Sequence, residues 1–230
     1  PYPVLNAGPI FDMQRVEVLQ GPQGTLFGRN TTGGLINLVT NKPADTFEAM
    51  LRGEAGNYDT YNTEGMVSGP LGDSFAGRLS LRTEDSNEGW QKSNTRSEDL
   101  GEVHRYGLRA MLSFQPSDRL DLTLSYNGWR INSDSLAAQA LSLSPATTSG
   151  SAAPYNTPGL TDYLANNRPN NSDDADWAPL STRGVDAGTG LGLPGDLEEN
   201  SNLDAFALHA NYAFAEDLRL VSLTGYQDMK

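Results

Sequence analysis

The sequence predicts an all-β fold whose strands form part of a transmembrane antiparallel β-barrel, and three observations support this prediction. Apolar and polar residues alternate with a period of two along most of the chain, whereas helical spacing is scarce. No apolar run is long enough for a helix to cross a bilayer. Short and long connections alternate along the chain between these segments, which is typical of membrane barrels.

The clearest predicted strand lies within residues 73–85. Leu79 and Leu81 alternate there with Arg78, Ser80 and Arg82, so one face is apolar and the other is polar. Three further segments show similar alternation, at 103–116, 119–129 and 203–214. The alternation is weaker at 46–58 and 59–71, and at 217–228 the choice of face is ambiguous. Together these segments predict about seven barrel strands. Two shorter strands are predicted ahead of them, at 13–20 and 34–40.

The connections predict which end of the barrel wall faces which compartment. Tight turns are expected near Gly69, Pro116 and Glu216, and long loops near 84–102 and 132–199. Membrane barrels have short periplasmic turns and long extracellular loops. Two aromatic girdles are also expected, with Phe75, Phe114 and Phe214 near the turns and Tyr58, Tyr61, Tyr126, Trp129 and Tyr226 near the loops.

A soluble β-sandwich or an extracellular β-repeat would show the same alternation and would also account for these segments. The asymmetry of the connections and the paired girdles favour the barrel. Seven strands would leave two open edges, and unpaired backbone groups in lipid cost several kcal/mol each. We therefore expect further strands to follow, and the chain to be a fragment.

The composition excludes several classes of function. The formal net charge is −13, from 16 Lys and Arg against 29 Asp and Glu. Affinity for nucleic acid comes from basic residues that displace counterions, so nucleic acid is not an expected partner. The chain has no cysteine, which excludes disulfides, thiolate metal sites and cysteine nucleophiles.

Residues 19–43, LQGPQGTLFGRNTTGGLINLVTNKP, combine five glycines with an apolar run. A phosphate-binding loop would need a Lys and a hydroxyl residue that open a helix, whereas these glycines lead into a strand-forming segment. Glycine allows tight turns with positive φ. The stretch therefore predicts a compact structural unit of two short strands joined by a loop.

This stretch resembles the end of the plug domain of TonB-dependent outer-membrane receptors, whose pattern runs approximately VEVLRGPxGxLYGxxxxGGxINIVTKxP. The matching residues are Arg15, Glu17, Gly21, Pro22, Gly24, Leu26, Gly28, Gly33, Gly34, Ile36, Asn37, Val39, Thr40 and Pro43, and Arg29 and Asn30 lie within the same motif. The family usually has an Arg before Gly-Pro that joins ion pairs between plug and barrel. This chain has Gln20 there, so we expect other groups to hold the plug, such as Arg15 or Arg29 against Glu48, Glu54 or Glu64.

The resemblance implies that residues 1–43 are the C-terminal part of a plug and that residues 44–230 are the N-terminal part of a barrel of about 22 strands. It implies a location in the bacterial outer membrane, in contact with its lipid. The implied function is TonB-dependent uptake of a scarce nutrient, with the TonB complex contacting a segment outside this sequence.

A ferric siderophore is the favoured ligand, because iron carriers are the commonest ligands of the family. Haem, cobalamin and oligosaccharides use the same architecture, so the fold does not choose among them. Two further functions stay open: a passive outer-membrane channel, which would lack a plug, and a soluble β-rich interaction protein.

Eight charged residues are expected to line the lumen, because a charge facing lipid costs about 2–4 kcal/mol at the midplane. They are Arg52, Arg78, Arg82, Arg105, Arg109, Glu48, Glu54 and Glu64. Two roles are open for them. They hold the plug and solvate the lumen, or some of the arginines steer an anionic ligand such as a ferric siderophore.

The long loop at 132–199 is the segment expected to touch ligand, with Tyr155, Tyr163 and Trp177 as its aromatic candidates. Acidic runs in the loops lack the spacing of a calcium site, so no metal site is predicted. The only histidines, His104 and His209, have no triad-like partners at fixed spacing. We therefore predict no catalytic residue, no enzymatic activity and no cofactor.

Overall fold

A computed structural model describes residues 8–24, 33–93, 99–136, 171, 173–175, 198–215 and 217–230. These ranges contain twelve strands: β1 Met13–Gln20, β2 Gly34–Thr40, β3 Glu48–Gly56, β4 Thr60–Pro70, β5 Phe75–Ser86, β6 Gln91–Ser93, β7 Asp99–Leu100, β8 Val103–Ser117, β9 Leu120–Asp134, β10 Asp174–Ala175, β11 Glu198–Ala215 and β12 Leu218–Met229. The all-β prediction is confirmed. A search of the described ranges finds no helix with the length and apolar character needed to cross a membrane.

Seven of the strands form one sheet in the order β12-β11-β9-β8-β5-β4-β3, and every neighbouring pair is antiparallel. The seven predicted barrel strands and their order along the chain are thereby confirmed. β9 and β11 extend clearly beyond the predicted segments: Glu198 of β11 still pairs with Asp134 of β9, just inside the predicted loop at 132–199.

Strand alternation gives this sheet two distinct faces. Arg52, Glu64 and Arg82 are neighbours across β3, β4 and β5, on the face that contacts residues 8–12. We call this the lumen face. The opposite face carries exposed leucines such as Leu79 and Leu124, as expected of a surface in contact with lipid.

The aromatic residues follow the predicted girdles with one exception. The Phe75 and Phe114 rings stack near the short turns with centroids 4.4 Å apart, and Tyr126 and Phe206 meet further along the outer face at 4.9 Å. Trp129 was predicted in the loop-end girdle, and this prediction is wrong. Its odd position in β9 turns it to the lumen face, where it is only 8% exposed.

The two predicted short strands, β1 and β2, form an antiparallel hairpin that pairs Val16 with Leu38 and Val18 with Ile36. We call it the plug hairpin. Gly34 has a φ of 139°, and an added Cβ would collide with the Leu19 carbonyl oxygen, so this position requires glycine. The division into a plug part at 1–43 and a barrel part at 44–230 falls between β2 and β3 and stays a prediction.

The predicted long loops contact one another through a small sheet of order β10-β6-β7. Asp174 pairs with Lys92 and Ala175 with Ser93 in parallel register. The Lys92 backbone N–H donates to the Asp173 carbonyl at 2.7 Å. Ala175 is fully buried, so the two loops are packed together at this point.

Candidate plug-docking site

The contact between plug and wall centres on Asp12, the residue just before β1. Its φ of 51° is left-handed, a conformation that Asp tolerates better than most residues. The turn directs the carboxylate into the lumen face, where Asp12 is 8% exposed. Its backbone N–H donates to Glu64 Oε1 at 3.2 Å.

Both carboxylate oxygens of Asp12 are satisfied by hydrogen bonds. Arg78 of β5 donates from Nε to Oδ2 at 2.8 Å and from Nη2 to Oδ1 at 2.5 Å. The Ser80 hydroxyl donates to Oδ2 at 2.5 Å, and the Asn41 side-chain amide donates to Oδ1 at 2.9 Å. A two-pronged arginine–carboxylate pair of this kind is strong and directional.

The environment keeps Asp12 ionised. Burial by itself raises the pKa of a carboxyl, but the hydrogen bonds from Arg78, Ser80 and Asn41 outweigh burial, and the pKa of Asp12 lies below its ordinary value of 3.8. Asp12 and Arg78 therefore form a buried, charged pair at neutral pH. Removal of either partner would leave an uncompensated charge.

Phe11 adds an apolar contact beside this pair. Its ring is 4% exposed and occupies the space that Gly107 of β8 leaves by having no side chain, since a Cβ there would lie 2.6 Å from the ring. Arg109 donates to the Phe11 carbonyl at 3.0 Å, and its guanidinium lies 4.7 Å from the ring centroid. This is cation–π geometry.

The other wall charges form a network on β3, β4 and β5. Arg82 contacts Glu54 at 3.3 Å, Glu64 at 3.4 Å and Glu84 at 3.2 Å. Arg52 pairs with Glu54 at 2.7 Å. Glu48 contacts Arg78 at 3.6 Å. The structure thus places all eight predicted lumen charges on one face. Four of the five arginines have partners, whereas Arg105 Nε has no hydrogen-bond partner within the described residues.

The predicted pairing of Arg15 with a lumen glutamate is not found. Arg15 Nε contacts Glu17 Oε1 at 2.6 Å, because the two residues lie on the same side of β1 with one residue between them. Glu17 also accepts from Asn37 on β2 at 2.8 Å, so these motif residues stabilise the plug hairpin itself. The contact with the wall is instead made by a carboxylate on the plug and arginines on the barrel.

The other motif residues, Gly21, Pro22, Gly24, Gly33 and Gly34, lie where the plug hairpin turns, and the Gly21 N–H donates to the Gly33 carbonyl at 3.2 Å. Six of the predicted site residues lie outside the described residues: Gly28, Arg29, Asn30, Tyr155, Tyr163 and Trp177. Their predicted roles stay predictions.

The two histidines lie apart from the docking site. His104 is on the outer face near the loops, with Nδ1 3.2 Å from Asp85 Oδ1, which also accepts from the Tyr106 hydroxyl at 2.8 Å. His209 lies on the lumen face of β11, opposite Thr123. Within the described ranges, no three His, Asp or Glu side chains are grouped so that they could hold a metal ion.

Sequence reasoning missed Asp12, Phe11 and Asn41. The first two precede β1 and the third follows β2, so none of them belongs to an alternating pattern. One signal was available: Gly107 interrupts the polar face of β8 between Arg105 and Arg109. A glycine inside a strand often marks close approach of another segment.

Proteins of known name are similar to this chain in sequence. No family model matches the chain. The pesticin receptor of Yersinia pestis is 34% identical over 109 residues, which are 47% of this chain and 16% of that receptor. The metal-pseudopaline receptor CntO of Pseudomonas aeruginosa is 38% identical over 84 residues, or 36% of this chain and 12% of that receptor. The chain therefore spans about a sixth or less of these relatives' length.

Among solved structures, the ferric yersiniabactin uptake receptor FyuA of Yersinia pestis superposes with a TM-score of 0.67 at 21% identity, and the match covers 95% of this chain and 28% of that one. The fold is that of an antiparallel β-sheet with a hairpin docked against one face, and it is similar to a part of that solved receptor. The chain is thus similar to a part of these receptors, in sequence over 47% of its length and in fold over 95%.

Proposed function

We propose that the full-length protein imports a ferric siderophore across the bacterial outer membrane, energised by the TonB complex. The observation that carries the proposal is the buried Asp12–Arg78 pair, which holds plug residues against the lumen face. A passive channel has no need of such a contact. The names of the relatives, which are receptors for pesticin and for metal-pseudopaline, support a receptor that acts in transport and not as an enzyme.

In this proposal the docking site keeps the lumen closed at rest. A buried ion pair with all its hydrogen bonds made is costly to break by removing one partner, so the closed state persists without ligand. Ligand capture at the loop end and a pull from TonB on the plug then supply the energy that separates plug from wall. The ion pair reforms after release because both partners stay charged.

Uptake by the native host tests the proposal. A strain that lacks the gene should lose transport of at least one ⁵⁵Fe-labelled siderophore, and a strain that lacks TonB should show the same loss. The protein should also become more abundant in outer membranes from iron-starved cells. Unchanged abundance together with unchanged iron transport would reject iron uptake and direct the search to cobalamin or oligosaccharides, whereas haem would be tested as the sole iron source.

One relative favours a second ligand class. The match to the metal-pseudopaline receptor CntO extends the proposal to chelates of metals other than iron. Starvation for zinc, nickel or cobalt, applied to the same deletion strain, separates the two: a growth defect under one of these and not under iron starvation would replace iron by that metal.

A further inference from the structure

Two polar side chains lie in one row of the lumen face, towards the loops from Trp129. Arg105 of β8 pairs with Ile131 of β9, and Ile131 pairs with Ser201 of β11. Neighbouring strands are about 4.8 Å apart, so the backbones of Arg105 and Ser201 are separated by roughly 10 Å. The length of an arginine side chain can span most of that gap.

Both side chains carry a buried polar atom without a partner. Arg105 Nε and Ser201 Oγ are the two such atoms found in the described part of the chain. Buried polar groups are nearly always hydrogen-bonded, so an exception requires a reason. Each residue as a whole is only half-buried, which leaves the pair reachable from the lumen.

Arg105 also differs from the other lumen arginines in its surroundings. Glu84 is its cross-strand neighbour on β5, but the Glu84 carboxylate accepts from Arg82 instead. Arg52, Arg78 and Arg82 are paired with carboxylates, and Arg109 is bound to the plug backbone. Arg105 is therefore the one lumen arginine for which the described residues provide neither an ion pair nor a bond to the plug, in a chain whose net charge is −13.

We propose that Arg105 and Ser201 bind an anionic oxygen group of the transported chelate, a carboxylate or a catecholate. The inference rests on the proposed function and adds the ligand's charge to it. The guanidinium donates to one oxygen through Nε and Nη, and the Ser201 hydroxyl donates to a second. A chelate with a net positive charge gains nothing from this site, and Arg105 opposes its binding.

The test is binding of ferric chelates of opposite charge to the full-length receptor in detergent. The probes are ferric citrate and ferric enterobactin, which are anionic, and ferrioxamine B, which is cationic. Arg105→Gln should weaken binding of an anionic probe by about 10-fold, the effect of one charge-assisted hydrogen bond. Ser201→Ala should weaken it by a smaller factor, and Arg105→Lys should retain part of the affinity.

Arg130→Gln is the matched control, because it removes the same charge from the outer face, where Arg130 pairs with Asp204 at 3.0 Å. It should change affinity less than about 2-fold, since an exposed pair contributes little. Heat-modifiable gel mobility shows that every variant is a folded barrel. Equal affinity of the wild type and Arg105→Gln for an anionic probe, or a preference of the wild type for the cationic probe, overturns the inference but leaves the proposed function standing. Failure to bind any metal chelate would reject both.

Discussion

At Asp12 the charges of the plug–barrel contact are the reverse of those expected, because the plug contributes the carboxylate and the barrel contributes the arginines. The resemblance led us to expect an arginine on the plug, and Gln20 occupies that place. Arg78 and Arg109 carry the positive charge from the wall instead. Electrostatic docking requires complementary partners but does not prescribe which side is positive.

Asp12→Asn should weaken plug docking by about 3–5 kcal/mol, because it removes the carboxylate that binds both prongs of the buried Arg78 and leaves only Glu48, at 3.6 Å, as its counter-charge. The measurement is protease sensitivity of the plug in outer membranes, together with sensitivity of the cells to a large antibiotic that barrels normally exclude. Both should rise.

Glu17→Gln is the control for Asp12→Asn. It removes a carboxylate from the plug hairpin whose ion pair with Arg15 is exposed to solvent, so its effect on plug protection should be much smaller than that of Asp12→Asn. A protected plug in Asp12→Asn, or equal effects of the two variants, would show that the buried pair does not hold the plug.

Docking should also depend on pH through Asp12. Its pKa in the docked state is below the ordinary 3.8, so the stabilisation is fully present above about pH 5 and disappears as the pH falls through the lowered pKa. The protease-protection difference between wild type and Asp12→Asn should be constant from about pH 7 to 5 and shrink below about pH 4. A difference that persists undiminished at about pH 2 would contradict this account.

Gly107→Ala should destabilise the receptor by about 1–3 kcal/mol, because the new methyl group would overlap the Phe11 ring. Thermal unfolding of the refolded protein measures the change. Gly65→Ala is the control, since its Cβ would lie 3.7 Å from the nearest atom. An equal loss in both variants would mean that glycine-to-alanine replacement in a strand, and not contact with Phe11, is responsible.

Alternation predicted which face each wall charge occupies, and Arg78, Arg82 and Glu64 all lie where expected. It did not predict their partners, since a partner on the plug depends on a turn outside any strand. Trp129 was assigned to the wrong face. It lies two positions from Asn127 and so shares the lumen face with it, but its aromatic character alone suggested the girdle.

The strands were predictable because each pairs with its neighbour along the chain, so local turn signals and alternation suffice. Their ends were less so. β9 continues to Asp134 and β11 begins at Glu198, outside the segments in which apolar and polar residues alternate. Backbone hydrogen bonds extend the pairing there without help from the side-chain pattern. The β6–β10 contact joins residues about 80 positions apart, and nothing local in the sequence indicates it.

A double variant tests this loop contact. Ser93→Cys with Ala175→Cys should form a disulfide in the receptor, because register partners in a sheet lie within the Cα separation a disulfide needs and the cell exterior is oxidising. The 230 residues contain no cysteine of their own, and a shift on a non-reducing gel that appears only in the double variant reports this pair. The two single-cysteine variants should show no shift. Two free thiols in the double variant would reject the packing of the loops.

As a whole, the seven-stranded sheet has one face towards lipid and one towards the plug. Adjacent residues of β9 allow the two faces to be compared. Leu124→Lys should destabilise the folded receptor by about 1–4 kcal/mol, depending on depth, because it places a charge in lipid. Thr123→Lys points into the lumen at nearly the same depth and should cost less. Unfolding in denaturant from lipid vesicles measures both, and an equal or reversed effect would assign the faces wrongly.

Asp12 and Asn41 also decide how tension would travel through the plug. The Asn41 backbone N–H donates to the Asp12 carbonyl at 3.2 Å, and the Asn41 side-chain amide donates to the Asp12 carboxylate. These two bonds close the base of the plug hairpin at the residue that binds Arg78. A force applied to the chain before Gly8 reaches Phe11 and Asp12 before it reaches the hairpin, and it passes into β8 through Arg109 and into β5 through Arg78 and Ser80. The hairpin ladder is shielded from that force. The mechanical strength of the closure is therefore set by a few buried polar contacts, and the hairpin would leave the wall as a folded unit once they yield.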